Sequence, residues 1–305
     1  MNVGIIGNGN HSKRIQKILR KKKINFFLYK PSKPKYFDKI EFEKLKLCRI
    51  IFIISPNSSH YDYIMKLHKN RYLFCEKPPV VKKHQLINIK KLNSKKIFFN
   101  FNYRFLKIAE ILQNINKYSL GNLIYANLIS SHGLALKKQY KSNWRSNIKK
   151  SPKGVFEIVS IHYIDLINYY FEVKKINKPK LLNFSKVGNS YDTSLVQLEL
   201  KNKSLVNIFT TYNSALAKKF FFLFENGIIE QNGDILTISG PAMNLDKEGL
   251  FKKPKIKKYI KIKNKYDIKK SLDISVTFFL KIAMNKKTFD KKEFNCSIKS
   301  NSLIV

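Results

Sequence analysis

The sequence predicts two domains: an N-terminal α/β domain with a doubly wound parallel sheet, then an α+β domain with a large, mostly antiparallel open sheet. Three observations predict this. The chain has 305 residues, 44% of them hydrophobic, which is more than one core usually needs. Up to about residue 118, short apolar runs alternate with longer stretches of helical periodicity. Beyond it, strand-like runs follow one another between turn residues. We place the domains at 1–118 and 119–305.

In the first domain, five apolar runs have the length of strands. They cover residues 2–6, 24–29, 49–54, 72–75 and 97–101. Between them, apolar residues recur at helical spacing in 14–22, 60–69, 82–93 and 105–117. Strands that alternate with helices pair in parallel, and ligands bind at the carboxyl ends of such strands.

The second domain has five strand-like runs, one helix among them and one long helix afterwards. The strands are 122–131, 181–187, 193–200, 204–212 and 218–225, and the helices are 155–170 and 267–284. The lysine-rich segment 252–265 is expected to be an exposed strand or loop. We expect the tail to Val305 to pack back onto the first domain.

Charge is the most unusual property of the composition, with a net value of +40. The lysines are spread from Lys13 to Lys299 rather than concentrated on one helix or loop with interleaved aromatics. This favours a solvated surface over a specific nucleic-acid site, although the field should attract anionic ligands. A nucleic-acid binder, which would show steep salt dependence, is the rival interpretation.

Cellular location follows from cysteine usage and apolar run length. Three widely separated cysteines, without metal-ligand spacing, suit a reducing cytoplasm, and no metal site is expected. No apolar run reaches the ~20 residues of a membrane helix, and the N-terminal run is too short for a secretory leader.

A glycine-rich turn, Gly-Asn-Gly-Asn-His-Ser at 7–12, follows the first strand directly and opens a helix. Glycines allow a tight turn and bring backbone amides against a diphosphate, which the helix N-terminus also attracts. Ser12 stands where the usual fingerprint has its third glycine. The segment predicts a Rossmann dinucleotide site formed by Gly7, Gly9, Asn10 and Ser12.

The end of the second strand bears on the choice of cofactor. An acid there binds the ribose hydroxyls of NAD, whereas basic residues accommodate the 2′-phosphate of NADP. Lys30, Ser32 and Lys33 occupy this stretch without a carboxylate. We therefore expect NADP in preference to NAD.

Further motifs follow later strands: Ser-Pro-Asn-Ser-Ser-His at 55–60, Glu-Lys-Pro at 76–78, Asn-Tyr-Arg at 102–104 and Trp-Arg at 144–145. Together with the turn at 7–12 and the segment 154–166, they resemble the glucose-fructose oxidoreductase and inositol dehydrogenase family, Gfo/Idh/MocA. The resemblance extends over essentially the whole chain. It implies a homo-oligomer, a dimer or tetramer, and a sugar-like small-molecule substrate.

The resemblance also implies roles for individual residues. Lys77 would exchange a proton with the substrate oxygen while a hydride passes to or from the nicotinamide. The remaining cofactor-binding residues would be Ser55, Pro56, Asn57, His60, Glu76 and Pro78. The substrate would contact Tyr103, Arg104, Trp144 and Arg145.

In the helix predicted at 155–170, the family has an aspartate four residues before a histidine. His162 is present as the second catalytic residue, but the position four before it is Ile158. Glu157 could supply the carboxylate to the substrate if the helix bulges, because it otherwise lies about 100° around the helix. Asp165 is placed to orient the imidazole or to contact the first domain.

These residues predict an NAD(P)-dependent oxidoreductase that acts on a CH–OH group of a sugar, polyol or nucleotide sugar. Surface-glycan synthesis is a candidate context for this reaction. The isoleucine at 158 leaves open a cofactor-binding accessory or regulatory protein with impaired catalysis. An enzyme that uses a tightly held dinucleotide only transiently, as some related glycosidases and lyases do, is a third interpretation.

Overall fold

The computed structural model describes residues 2–31, 39–92, 94–241, 243, 245–287 and 289–305, with the backbone alone at 39 and 264–266. The chain forms two compact units. The first comprises Met1–Asn102 together with Lys270–Val305, and the second is Tyr103–Lys269.

The first unit is built on a parallel sheet. Its strands are β1 (Val3–Ile6), β2 (Phe26–Tyr29), β3 (Ile50–Ile53), β4 (Tyr72–Glu76) and β5 (Ile97–Asn100). They pair in the order β2-β1-β3-β4-β5, each pair parallel. Every residue of β1, β3 and β5 is buried, because helices that cover both faces allow continuous apolar strands.

Helices of the first unit come from both ends of the chain. They are α1 (Asn10–Lys21), α2 (Lys39–Lys46), α3 (His60–Leu67) and α4 (Lys83–Lys90), and, near the C-terminus, α7 (Asn264–Ala283, from Lys270 onward) and α8 (Lys291–Ser302). Phe279 of α7 packs edge-on against Phe52 and Phe74 of the sheet. The sequence patterns did not predict α2.

The second unit has a nine-stranded sheet. Its strands are β6 (Leu123–Ser131), β7 (Val173–Ile176), β8 (Lys180–Leu182), β9 (Thr193–Leu200), β10 (Leu205–Thr211), β11 (Ala217–Phe224), β12 (Gly227–Asn232), β13 (Ile235–Ser239) and β14 (Ile256–Lys261). The order is β14-β13-β12-β11-β6-β10-β9-β7, with β8 also paired to β9. Only β6 and β10 pair in parallel among these described strands. The predicted fold class is confirmed in both units.

One face of this sheet is covered by α6 (Ile161–Phe171), which continues from a π-helical turn at Phe156–Ser160. Tyr163 of α6 packs on Phe220, and Phe171 packs on Phe222. A shorter helix, α5 (Lys107–Gln113), lies earlier in the unit. Because Phe220 and Phe222 both contact α6, alternate side chains of β11 lie on the face that α6 covers, and those between them lie on the outer face.

Two predicted elements differ from the structure, and one hairpin was not predicted. The strand at 181–187 ends at Leu182, because the Asp192 carboxylate accepts the amides of Phe184 and Ser185 and holds a loop there. The helix at 105–117 is α5 alone, followed by a 3₁₀ turn at Ile115–Tyr118. The hairpin of β12 and β13 was not predicted, whereas β14 lies within the lysine-rich segment expected to be a strand or loop.

Candidate functional site

A cavity of about 210 Å³ opens beside the carboxyl ends of β1, β2 and β3 in the first unit. It is lined by Gly7, Asn8, Lys30, Pro31, Ser55, Pro56, Ser59 and Tyr63. Crevices at this edge of a parallel sheet are where nucleotides bind in doubly wound folds. The cavity thus unites residues from two of the predicted cofactor motifs.

The glycine-rich turn has the geometry that a diphosphate requires. Gly7 has a φ of +100°, and a Cβ there would lie 2.5 Å from the Ile54 carbonyl oxygen. At Gly9 a Cβ would meet open space, so the backbone is bare toward solvent. Among its described residues, α1 begins at Asn10 with no capping side chain and no acid in its first turn. Its first amides can therefore donate to an anion, and the site fits a dinucleotide.

Ser12 is fully buried and locks this turn. Its hydroxyl donates to the Gly7 carbonyl at 2.7 Å and accepts from the Gln16 amide at 3.1 Å. Gln16 also donates to the Asn8 side chain at 3.2 Å. Ser12 thus replaces the usual third glycine with a hydrogen-bonded residue that fixes the loop from inside the helix.

Lys30 follows β2 directly and lines the cavity. None of the described lining residues carries a carboxylate. Ser32 and Lys33, the other two residues expected to meet a phosphate, lie outside the described residues.

The segment after β3 is held to the segment after β4 by His60. This ring is fully buried, with Nδ1 2.8 Å from the Pro78 carbonyl oxygen and Nε2 2.9 Å from the Ser55 carbonyl oxygen. Burial lowers the pKa of His60 despite these two acceptors, so in the neutral form one nitrogen donates and the other does not. Asn57 opens the intervening 3₁₀ turn and is half-buried. His60 therefore positions the loops that carry Pro56 and Pro78.

Glu76 is the centre of a polar network at the end of β4. Its Oε1 accepts from Asn100 at 2.6 Å and lies 2.7 Å from His11 Nε2. Ser275 donates to Asn100 at 2.6 Å. Burial raises the pKa of Glu76, but the His11 charge and the hydrogen bonds from His11 and Asn100 outweigh burial and lower it to about 2. Lys77, which follows it, is half-buried and precedes Pro78 in a cis peptide.

In the second unit, His162 stacks on Tyr103. Their ring centroids are 4.4 Å apart with an interplanar angle of 19°. Tyr163 meets Tyr103 edge-on at 5.3 Å between ring centroids. Burial, above all, raises the pKa of both phenols. The stacked tyrosine ring limits the orientations open to the imidazole.

Arg104 forms a buried bidentate ion pair with Asp165. Nε donates to one carboxylate oxygen at 2.8 Å and Nη2 to the other at 2.6 Å, and both side chains are almost completely buried. The guanidinium also lies 4.6 Å from the Tyr169 ring. The carboxylate bound by Arg104 therefore belongs to Asp165, and this ion pair fixes the orientation of the guanidinium.

Trp144 and Arg145 lie in a 3₁₀ turn, with the guanidinium carbon 4.4 Å from the indole centroid. Burial raises the pKa of the Tyr212 phenol, and the positive charge of Arg145 opposes that rise. His132, which lies 4.9 Å from Tyr212, has a pKa lowered first by burial and then by Arg145. These side chains form a second polar group in the same unit.

The π-helical turn changes the register before His162. Backbone bonds in a π-turn join residues five apart, so Glu157 stands one turn before His162, as a residue four before it would in an α-helix. Glu157 is buried and accepts from Ser151 at 2.7 Å and from the Lys153 amide at 3.3 Å. Ile158 is also buried. The bulge that the sequence required for Glu157 is therefore present.

Two site residues were missed at the sequence level. His11 lies within the glycine-rich turn but its partner Glu76 is 65 residues away. Lys218 is buried beside Tyr103, and its alternation with Phe220, Phe222 and Phe224 was the available signal.

No group of three or more potential metal ligands occurs among the described residues. In the same part of the chain, no helix combines the length and apolar character needed to cross a membrane.

Comparison with known proteins tests the resemblance. Residues 113–235 match the Gfo/Idh/MocA family described as "Oxidoreductase family, C-terminal alpha/beta domain". They form a Gfo/Idh/MocA domain. The predicted family resemblance is confirmed.

Several solved structures share the fold over almost the full length of both chains. A levoglucosan dehydrogenase in complex with NADH has a TM-score of 0.77 at 14% identity and covers 100% of this chain and 96% of its own. A myo-inositol dehydrogenase from Corynebacterium glutamicum has a TM-score of 0.71 at 16% identity, with coverages of 99% and 94%.

An oxidoreductase from Agrobacterium radiobacter, solved with NAD+, L-tartaric acid and magnesium, has a TM-score of 0.75 at 12% identity, with coverages of 99% and 94%. No curated protein sequence matches the chain.

Proposed function

We propose that the protein is an NAD(P)-dependent oxidoreductase that interconverts a hydroxyl and a keto group on a sugar, polyol or nucleotide sugar. The single observation that carries this is the cavity of the first unit, where an uncapped helix N-terminus and a positive-φ glycine adjoin Ser55 and Pro56. The Gfo/Idh/MocA domain supports it. A bound nicotinamide dinucleotide would accept or supply the hydride.

Lys77 is the proposed proton carrier. During oxidation its neutral amine takes the hydroxyl proton of the substrate while a hydride leaves the carbon that bears this hydroxyl. During reduction its ammonium returns the proton to the oxygen. Glu76 stays ionised, because its pKa is about 2, and keeps a negative charge next to this lysine. His60 holds the carbonyl of Pro78 and so fixes the backbone that carries Lys77.

In the second unit, the proposed substrate residues are His162, Tyr103, Trp144, Arg145 and Glu157. His162 is oriented by its stack on Tyr103 and can exchange a hydrogen bond or proton with a sugar hydroxyl. Arg104 acts indirectly, since its ion pair with Asp165 anchors the segment that carries Tyr103. The structural neighbours named for levoglucosan and myo-inositol are consistent with a polyhydroxylated substrate.

For the cofactor we propose a preference for NADP. The preference is supported by Lys30, which lines a cavity that has no carboxylate among its described lining residues. The similar structures solved with NADH or NAD+ do not support it. Nicotinamide fluorescence, titrated with NADPH and NADH, tests both the site and the preference. We expect tighter NADPH binding, lost in Lys30→Asp and retained in Lys83→Asp, an exposed charge-reversed control in the first turn of α4. Absence of binding to either dinucleotide would overturn the oxidoreductase proposal.

A second candidate function is a cofactor-binding accessory or regulatory protein without turnover. Ile158, where the family has a carboxylate, favours it. Dinucleotide binding without nicotinamide reduction across a panel of polyols and sugars would support this alternative. Turnover that disappears in Lys77→Met would exclude it.

We also propose a homo-oligomer formed through the outer face of the nine-stranded sheet. Leu195 is exposed on this face and pairs with the half-buried Phe209 of the adjacent strand, and contiguous exposed apolar residues are typical of protein interfaces. Light scattering should give the mass of a dimer or tetramer, and Leu195→Lys should lower it. A wild-type mass of one chain would refute the proposal.

A further inference from the structure

Lys218 is the most unusual charged residue of the second unit. It is 8% exposed and is the one buried lysine among the residues whose side chains are described. Its ammonium has no hydrogen-bond acceptor among these residues. Buried ammonium groups are costly unless an acceptor or counter-ion compensates them, so an uncompensated one calls for a partner.

The surroundings of Lys218 compensate it only in part. Nζ lies 5.6 Å from the Tyr103 ring centroid and 5.3 Å from that of Phe220, distances at which aromatic faces attract a cation. Asp267 favours the charged form electrostatically, but burial outweighs it and lowers the pKa of Lys218 to about 8. The amine is therefore mostly protonated at neutral pH and still lacks a direct acceptor.

The position of Lys218 relates it to the candidate substrate residues. It lies near the start of β11, opposite Ser130 of β6, on the face of the sheet that α6 covers. Tyr103, over which its Nζ lies, is the ring on which His162 stacks. The ammonium therefore shares Tyr103 with the imidazole proposed to contact the substrate.

Other candidate cations of this unit have partners. Arg104 is committed to both carboxylate oxygens of Asp165, and Arg145, which is only half-buried, stacks on Trp144. Lys218 is thus the buried cation next to Tyr103 that can accept a new anionic partner without breaking an ion pair.

We propose that Lys218 is a substrate-binding residue that receives a carboxylate or phosphate group, so that the substrate is an acidic sugar rather than a neutral one. This inference rests on the proposed function for the identity of the substrate class, but the anion site itself can be tested without turnover. An ammonium binds either group through charge-assisted hydrogen bonds.

Calorimetric titration with D-glucose, D-glucuronate and D-glucose 6-phosphate tests the proposal on the full chain. The two charged sugars separate a carboxylate from a phosphate, and glucose is the neutral reference. We expect at least one charged sugar to bind about tenfold more tightly than glucose. Lys218→Met should remove this preference, and Lys218→Arg should retain part of it.

Lys219→Met is the matched control. Lys219 is the next residue of β11, exposed on the opposite face, so its loss removes the same charge without touching the site. We expect it to keep the wild-type preference. Lys218→Met should fold at least as stably as wild type, because it replaces a buried ammonium that lacks a hydrogen-bond acceptor with an apolar chain of similar length.

Charged sugars that bind no better than glucose would overturn the proposal, as would a preference that survives in Lys218→Met. A preference that depends on Lys218, found together with no NADH or NADPH binding, would support the anion site while the proposed oxidoreductase function fails.

Discussion

The ion pair of Arg104 and Asp165 should be the most sensitive polar interaction in the second unit. Asp165→Asn replaces an ionised carboxylate that accepts two charge-assisted bonds, at 2.8 and 2.6 Å, with a neutral amide of the same shape. The guanidinium would keep its burial, with 4% of its side chain exposed, and lose its counter-charge.

Removal of one partner from a buried pair typically costs about 3–5 kcal/mol. Since domains are stable by only about 5–15 kcal/mol, this is a large part of the total. The double variant Arg104→Met, Asp165→Leu leaves no orphaned charge and should recover most of the loss. The recovery should be incomplete by about 1–2 kcal/mol, because the contact of Arg104 with Tyr169 is also lost.

Urea unfolding followed by tryptophan fluorescence is a suitable assay, since Trp144 is the single tryptophan and belongs to the same unit as the pair. Glu199→Gln, which removes one partner of the exposed pair with Lys174, is the control and should leave the midpoint unchanged. A loss below about 1 kcal/mol in Asp165→Asn, or a double variant no more stable than the single one, would refute the reasoning.

Three further predictions concern stability and chemistry. Glu76→Gln should lower the unfolding temperature above pH 4.5, and the difference from wild type should shrink as the pH falls toward 2. The reason is that a carboxylate with a pKa lowered from 4.5 to about 2 contributes stability that protonation removes. A difference in unfolding temperature that does not change with pH would contradict this. Gly7→Ala should lower both the unfolding temperature and the affinity for NADH, since a Cβ on this positive-φ residue would clash with a main-chain oxygen. Gly9→Ala should weaken NADH binding alone, because its Cβ would meet no atom within 4 Å. Equal effects of the two substitutions would count against the proposed turn geometry. Glu157→Gln should lower the rate of nicotinamide reduction, because its carboxylate is a proposed substrate contact, whereas Ile158→Val should cost about 1 kcal/mol of stability and leave the rate unchanged. The opposite ranking in steady-state kinetics would refute the role given to the π-turn.

The first sheet was predictable because a buried parallel strand is apolar along its whole length. Runs such as Ile50–Ile53 are therefore visible without any partner. The β12–β13 hairpin was missed, although Gly233 in its turn and the buried Ile229 and Leu236 on its strands gave a readable pattern. Helix α2 has only two buried apolar residues, Phe42 and Leu45, so its periodicity is weak.

For the candidate site, local motifs were predictable and distant pairings were not. The glycine-rich turn and the Glu-Lys-Pro segment are contiguous in sequence, so their chemistry can be inferred from spacing. Arg104 and Asp165 are 61 residues apart, and the choice of Asp165 over a substrate anion depends on tertiary packing that spacing does not encode. The π-turn likewise arises from packing, because nothing in the residue types at 156–160 requires it.

The discontinuity of the first unit has a consequence for biosynthesis. Phe279 and Asn301, which contact Phe52 and the Val80 backbone, leave the ribosome only after the whole second unit has been made. Until then, the apolar surface of the nascent sheet lacks this cover. A chain truncated before Lys270 contains every residue of the proposed cavity, yet we expect it not to bind the cofactor. We also expect the nascent N-terminal segment to depend on chaperones while the rest of the chain is synthesised.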